Sequence, residues 1–328
     1  MERAIRSALL FWLSLTLSVT LSAQQQPAFR EQSNLVLVPA LVKNSHGAIV
    51  YGLQASDFIV EDNGVPQPLR LQEAAEAEPI SLVVAIQSGR RAYKEFDRMA
   101  GLSAMLSPIL DQPQNRVALV VFDSQVNLAQ DFTNSSDAIE HALTDLKHGD
   151  GGAAILDAVD YSVKLLATAE HRQRVLLLIS ETRDHGSHSA TIDSVVRGIG
   201  GTNTVVYALP FSPSMSQVLD TERGRNRDEA RPYFDLLAPM LMARQAMRKN
   251  VPQSIASMTG GEYQLFKSRR SFESDLNNFT NHLHNRYLLS FTPREPQPGL
   301  HQLRVLLRTP GDSTVLARNN YWATGSQP

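Results

Sequence analysis

The chain has 328 residues, of which 42% are hydrophobic and 20% are charged, and its formal net charge at pH 7 is −2. This composition is typical of a folded globular protein, and the near-neutral charge disfavours a nucleic-acid partner, which would favour a basic face. The sequence contains no cysteine, which excludes disulfides, thiolate metal ligands and thiol chemistry.

Residues 1–23 predict a secretory signal peptide. A short basic start is followed by an apolar run from Ala8 to Leu21, and the small residue Ala23 precedes three glutamines. This order is the pattern of a cleaved export signal, here with cleavage after Ala23. A retained anchor is the alternative, but it needs about 20 apolar residues, more than this run supplies. We therefore expect an exported protein, periplasmic or secreted, with no membrane span after cleavage.

Residues 24–78 predict a β-rich segment. The stretch from Asn34 to Val42 is β-prone, and Asn63-Gly64 is a turn signal between two extended runs. The polar stretch from Glu73 to Pro79 is typical of a linker. These features indicate a few strands and a hairpin.

Residues 79–285 predict an α/β domain, because strands and helices alternate along them. Continuous apolar runs indicate strands buried on both faces, and helices lie between them. The fold class is therefore a doubly wound, mainly parallel, Rossmann-like sheet. The predicted strands are 81–86, 116–122, 174–180 and 204–209; the predicted helices are 137–146 (capped by Ser136), 155–167, 191–199, 236–250 and 272–284, and apolar residues recur at helical spacing from Ala92 to Ile109.

The remaining segments interrupt or follow this alternation. Pro210 to Arg231 is rich in proline, serine and charge, which predicts a mobile and dispensable insertion. The stretch GGEYQLF predicts a turn and a strand. Residues 286–328 predict strands at 287–292, 301–307 and 314–322. The N-terminal and C-terminal β-rich segments are each too small to bury a core, so we expect them to pair into one β-sandwich-like module.

Several stretches in this order resemble the von Willebrand factor A domain: SLVVAIQSGR, RVALVVFDSQVNLAQDFT, GGAAILDAV, RVLLLISETRDHGS and TVVYALP. With LVPALVKNSHGAIVYGLQASDFIVEDNGVPQ before them and YLLSFTP after them, the chain is most similar to secreted bacterial von Willebrand factor A-related proteins. The resemblance spans roughly residues 34–323. It implies a ligand site at the carboxyl ends of the sheet strands.

In that family the site is a metal-ion-dependent adhesion site, written Asp-x-Ser-x-Ser, with a later threonine and a later aspartate. Carried onto this sequence, these five positions fall in turn on Ile86, Ser88, Arg90, Ala153 and Glu181. Only Ser88 matches, although Glu181 keeps a carboxylate. A divalent cation needs several oxygen donors. The resemblance therefore implies a degenerate site, and we expect no metal and no cofactor.

Other polar residues offer weaker alternatives. Asp184, His185 and His188 could hold a transition metal, but surface exposure is the simpler interpretation. Asp123 follows a strand and could serve as a base, although loop hydrogen bonding is simpler. Asp157 at a helix start needs no function, because the helix dipole stabilises it.

These observations predict an exported, non-enzymatic protein-binding or scaffolding protein that contacts its partner without a metal ion. The alternatives are an accessory subunit of an envelope enzyme complex, a weak hydrolase or a structural envelope component. We expect a protein partner, of unspecified identity, bound by loops that carry Ser88, Arg90, Arg91, Asp123, Glu181 and Asp184. Arg90 or Arg91 is expected to pair with Glu181 and replace the metal charge.

Overall fold

The structure is a computed structural model that describes residues 35–72, 79–89, 92, 95–169, 173–211, 238–294 and 297–323. Its strands are β1 (Val36–Lys43), β2 (Phe58–Asp62), β3 (Val65–Gln67), β4 (Arg70–Gln72), β5 (Ile80–Gln87), β6 (Arg116–Phe122), β7 (Val126–Thr133), β8 (Gln173–Ile179), β9 (Val205–Ala208), β10 (Tyr287–Phe291), β11 (Gly299–Leu307), β12 (Thr314–Ala317) and β13 (Asn320–Ala323). Its helices are α1 (Leu102–Met105), α2 (Ser107–Leu110), α3 (Ser136–Thr144), α4 (Ile155–Ala167), α5 (Ile192–Thr202), α6 (Ala238–Lys249), α7 (Val251–Thr259) and α8 (Arg269–His284), with 3-10 turns at Ala55–Asp57 and Phe96–Met99.

A five-stranded sheet of order β7-β6-β5-β8-β9 carries the α/β part of the chain. The apolar run at β5 is its central strand, parallel to β6 and β8, and all of its residues are buried. The fold class predicted from the alternating pattern is confirmed. The edge strand β7 runs antiparallel to β6 and had no separate prediction, because one side of it has no neighbour and its residues are largely polar or exposed.

Helices cover both faces of this sheet. One face packs against α1, α2, α3 and α8 around a cluster that includes Leu82, Val84 and Ile86. The other face packs against α4, α5, α6 and α7, with Val83 and Ala85 in its cluster. Alternate residues of β5 thus point to opposite faces, as a strand requires.

The helix predictions are close, with two differences. Helix α4 has the predicted bounds, but the cap of α3 is Ser135 rather than Ser136, since the Ser135 hydroxyl accepts from the Ala138 amide. The apolar residues spaced from Ala92 to Ile109 are largely buried, yet short pieces replace a continuous helix. Gly101 is left-handed with φ 88° and divides them.

The N-terminal and C-terminal segments form two further antiparallel sheets, as predicted. Strand β1 lies between β10 and β12, and β11 lies between β2 and β13. Apolar side chains from both sheets share one core. The turn between β2 and β3 is the predicted Asn63-Gly64 hairpin, in which both residues have positive φ. We refer to this pair of sheets as the sandwich; the boundaries proposed at residues 78 and 285 stay predictions.

Three predictions on connecting segments need correction or fall outside the description. The predicted strand 314–322 is two strands, because the chain changes sheet between β12 and β13. GGEYQLF forms only two parallel bridges, Ala208 with Tyr263 and Phe211 with Phe266. Phe211 is fully buried and therefore belongs to the core rather than to a mobile insertion. Residues 212–231 of the predicted insertion, the signal peptide and most of the linker lie outside the described residues.

The sandwich packs directly on the α/β part. Helix α5 contacts β13, and the Arg197 guanidinium lies 5.1 Å from the ring centre of Trp322. Arg318, 3% exposed, donates to the carbonyls of Gly200 and Leu37 at 3.2 Å each, and its guanidinium also reaches the Asn203 side chain at 2.5 Å. None of the helices within the described ranges has the length and apolar character needed to cross a membrane.

Candidate functional site

Loops that follow β5, β6 and β8 meet at the carboxyl edge of the five-stranded sheet, together with the loop before α4. Backbone hydrogen bonds join them: the Ala154 amide donates to Asp123 at 2.7 Å, and Ala153 and His185 exchange two bonds of 2.8 and 3.0 Å. The Ser88 carbonyl accepts from Gly149 at 2.9 Å. We call these loops (88–89, 123–125, 149–154 and 180–190) the edge loops.

The last residue of β5, Gln87, holds the edge loop 180–190 against the end of that strand through its side chain. Its Nε2 donates to Oε1 of Glu181 at 2.7 Å, and its Oε1 accepts from the Glu181 amide at 2.8 Å. Gln87 is 1% exposed and Glu181 is 4% exposed. A buried carboxylate needs such donors, because desolvation otherwise disfavours its charge. Gln87 therefore provides the neutral partner that holds Glu181 in place.

The other positions implied by the family pattern offer few metal ligands. Ile86 lies in the apolar core and Ala153 is fully buried, so two positions present only carbon. The Ser88 hydroxyl donates weakly to the Phe122 carbonyl at 3.4 Å. Mg²⁺ prefers near-octahedral oxygen coordination with compensating negative charge. The residues described at these positions do not fit that requirement.

Asp123 and Asp150 organise the middle of the edge loops. Asp123 accepts from the amides of Gln125 and Asp150 at 2.8 and 3.0 Å. Asp150 accepts from the hydroxyl and amide of Ser124 and from the Gly152 amide, and the Ser124 hydroxyl contributes most to holding the pKa of Asp150 below its ordinary value. Both carboxylates thus satisfy backbone donors, which supports the loop-bonding interpretation of Asp123.

Asp157 and Asp184 also bind within the protein. Asp184 accepts from the Leu156 amide at 3.0 Å and from the Ser187 hydroxyl at 2.5 Å, which caps the start of α4. Asp157 accepts from the amides of His188, Ser189 and Ala190. Their oxygens are therefore used to hold loop 180–190 against α4.

Two histidines accompany these carboxylates. His185 Nε2 lies 3.3 Å from Glu181 Oε1 and its side chain is 39% exposed, while His188 is on the surface. In the described part of the chain, no three His, Asp or Glu side chains form a group that could hold a metal ion. Arg90 and Arg91 lie outside the described residues, so their pairing with Glu181 stays a prediction.

Sequence reasoning missed Gln87 and Asp150. Gln87 carries one detectable signal, since it is the only amide side chain in the apolar run ISLVVAIQ and stands at the strand end where ligands bind in such folds. Asp150 had no signal, because its bonds depend on how close the loops lie. That closeness requires glycine: a Cβ on Gly89 would lie 2.8 Å from the Gly152 carbonyl oxygen.

A doubly wound sheet with its polar loops gathered at the carboxyl edge defines a class of ligand-binding α/β domains. Comparison with protein families then gives the particular one: the family described as von Willebrand factor type A domain matches residues 86–187. Residues 86–187 are thus similar to a von Willebrand factor type A domain, the family that the sequence motifs resemble. The match begins at Ile86 and ends within the loop 180–190, so it includes most of the edge loops.

Two solved structures of low identity are partly similar to this chain. The BatB protein from Bacteroides thetaiotaomicron is 12% identical, with 62% of this chain and 99% of that chain covered and a TM-score of 0.40. A von Willebrand factor type A protein from Catenulispora acidiphila is 8% identical, with 90% and 75% covered and a TM-score of 0.44. The comparison with curated proteins finds no match. With TM-scores this low, the structural likenesses indicate no function.

Proposed function

We propose that this chain is an exported, non-enzymatic protein-binding module that contacts its partner through the edge loops without a metal ion. Von Willebrand factor A domains are typically interaction modules, and the family match covers most of the edge loops. The export part of the proposal rests on the signal-peptide pattern of residues 1–23.

The Gln87–Glu181 pair is the observation that carries the proposal. In the family pattern, a metal ion gives this edge its positive charge and links the loops. Here both polar atoms of the Gln87 side chain bond to Glu181, at 2.7 and 2.8 Å, and hold the loop 180–190 against the end of β5. Carbon side chains at Ile86 and Ala153 remove two metal ligands at the same time. The loops are thus held in place by direct hydrogen bonds and remain available to a partner.

Affinity capture from an envelope extract, with excess Mg²⁺ in one arm and EDTA in the other, tests the metal-independent contact. We expect the same protein to be retained in both arms. Arg183 is exposed on the edge loops, so Arg183→Glu should weaken retention. Arg304→Glu is the matched charge reversal on the sandwich, at a side chain 69% exposed, and should leave retention unchanged. Capture that requires Mg²⁺, or equal loss in both variants, would contradict the proposal.

Two further measurements test the remaining parts. Mg²⁺ titration should give no heat and no change in melting temperature. N-terminal sequencing of the protein recovered from cell fractions should begin at Gln24, outside the cytoplasm. An intact Met1 in the cytoplasm would contradict export, and metal-dependent turnover of an ester or peptide substrate would instead support the hydrolase alternative.

A further inference from the structure

A cavity lies beside the edge loops, on the opposite face of β5 from the Gln87–Glu181 pair. Its volume is about 500 Å³, and it opens between the segment 96–107 and helix α3. Ligand pockets typically have volumes of about 300–1,000 Å³. The cavity is therefore large enough for one side chain of a partner with part of its backbone.

The inner walls of this cavity are apolar. They include Ile86, Phe96, Met99, Leu143 and Leu146. Ile86 stands where the family pattern has its metal-binding aspartate, so the same exchange that removes a ligand from the edge loops adds an aliphatic wall here. An aspartate at this position would place a carboxyl group against these apolar residues, which is costly.

Among the described residues that line the cavity, Glu140 on α3 is the only charged one, and serine and threonine side chains surround the opening. Glu140 is exposed, and no basic side chain of the described residues forms an ion pair with it. An apolar interior with one carboxylate at the mouth complements an apolar group that carries a positive charge beside it.

We propose that this cavity binds a leucine or phenylalanine side chain of a protein partner whose neighbouring residue is lysine or arginine. The inference rests on the proposed protein-binding function and deepens it. Where the family pattern recognises a partner carboxylate through a metal, this chain takes an apolar anchor in the cavity and pairs a basic neighbour with Glu140.

Short peptides test the proposal directly. The blocked peptide Ala-Phe-Lys-Ala, titrated into ¹⁵N-labelled protein, should shift the amide signals of cavity residues such as Gly101 and Leu143. The peptides Ala-Phe-Glu-Ala and Ala-Ala-Lys-Ala, which lack the charge and the anchor in turn, should bind more weakly. Equal shifts from all three peptides, or shifts confined to other regions, would overturn the proposal.

Variants of the protein give an independent control. Ala104 lines the cavity, so Ala104→Phe should fill it and abolish the shifts. Ala129→Phe adds the same ring on the exposed face of β7 and should bind the peptide as before. Glu140→Gln should weaken Ala-Phe-Lys-Ala by about two- to fivefold, the range of an exposed ion pair, and remove its advantage over Ala-Phe-Glu-Ala. Unchanged binding by Ala104→Phe would overturn the proposal.

The same variants separate this inference from the proposed function. If Arg183→Glu loses the captured protein while Ala104→Phe and Glu140→Gln retain it, the edge loops bind the partner and the cavity takes no part. If Ala104→Phe loses the captured protein while Arg183→Glu retains it, the edge-loop proposal is wrong and the cavity assignment stands.

Discussion

Gln87 occupies a position where the side chain must be both donor and acceptor. Its Nε2 faces the Glu181 carboxylate and its Oε1 faces the Glu181 amide. Replacement by leucine removes both bonds and leaves a buried charge and a buried amide with fewer partners. We expect Gln87→Leu to lower the free energy of unfolding by about 2–4 kcal/mol, measured by urea denaturation.

A reciprocal exchange tests whether the two side chains act as a pair. Gln87→Glu alone places two carboxylates together and should destabilise the fold. Combined with Glu181→Gln, it restores one carboxylate and one amide, and the Glu181 backbone amide keeps its acceptor. The double variant should therefore be more stable than Gln87→Glu. Additive losses would show that the pair is not coupled.

Each ring nitrogen of His301 lies within hydrogen-bond distance of an acceptor oxygen. Nδ1 lies 2.8 Å from Asp62 Oδ1 and Nε2 lies 2.6 Å from the Gln297 carbonyl oxygen, and His301 is 3% exposed. The Asp62 carboxylate and the Gln297 carbonyl both favour the protonated ring. Burial alone would lower the pKa of His301, but the bonds to Asp62 and Gln297 outweigh it and leave the pKa raised.

The raised pKa of His301 predicts a stability that depends on pH. Its contribution is complete below the ordinary histidine value of about 6.5 and is lost as the pH rises through the higher folded pKa. Urea denaturation across neutral and alkaline pH should show this loss, and His301→Gln should remove it. His284→Gln, on an exposed helix end, is the control and should keep the wild-type pH dependence.

At the scale of elements, two adjacent glycines of the edge loops differ in the space that a side chain would have. A Cβ on Gly152 would lie 2.7 Å from the Ser124 amide nitrogen, whereas a Cβ on Gly151 meets nothing within 4 Å. We expect Gly152→Ala to destabilise the protein by about 1–3 kcal/mol and Gly151→Ala to change stability by less than about 0.5 kcal/mol. Thermal and urea unfolding check this, and equal effects would contradict the close approach of the loops.

The elements were predictable where burial leaves a periodic pattern. The apolar strand β5 was visible in the sequence because both of its faces are buried. The amphipathic helix α4 was visible because one of its faces is buried. Strand β7 was missed because it is an edge with exposed residues, and the 92–109 region because Gly101 breaks its helix. Edges and breaks depend on neighbours far along the chain, which local spacing does not encode.

The site was predictable in its place and less so in its bonds. Family motifs put Ser88, Glu181 and Asp184 in loops at the carboxyl edge of the sheet, and the structure describes them there. The Gln87–Glu181 bonds were not foreseen, because residues 94 positions apart meet only once β5 and β8 pair. The acceptor role of Asp184 towards the Leu156 amide and the Ser187 hydroxyl was not foreseen either.

For the whole molecule, Arg318 joins the sandwich to the α/β part. Its described acceptors are neutral: carbonyls of Leu37, Gly200 and Asn320 and the Asn203 side chain. Burial lowers the pKa of Arg318 to about 10, which still leaves it charged at pH 7. Gly200 and Asn203 lie at the C-terminal end of α5, where the helix dipole favours a cation.

Replacing Arg318 should therefore loosen the junction between the two parts. We expect Arg318→Met to cost about 2–4 kcal/mol, because it leaves several buried acceptors without donors. Arg318→Lys keeps the charge but has one nitrogen for acceptors on several sides, and should recover only part of the loss. Urea unfolding followed by Trp322 fluorescence and far-ultraviolet circular dichroism checks this. A Met variant as stable as the parent would contradict the role of Arg318.

The pairing of β1 with β10 joins strands that are synthesised far apart in time. Val36 pairs with Phe291, so the ribosome releases the first strand long before its partner exists. All strands of the five-stranded sheet are synthesised between β1 and β10. That sheet can assemble while β1 and β2 are still unpaired with the C-terminal strands. Such distant pairings form slowly. Until β10 to β13 have been synthesised, β1 and β2 expose unpaired edges that can pair with other chains. We therefore expect nascent chains of this protein to depend on holding chaperones during this interval.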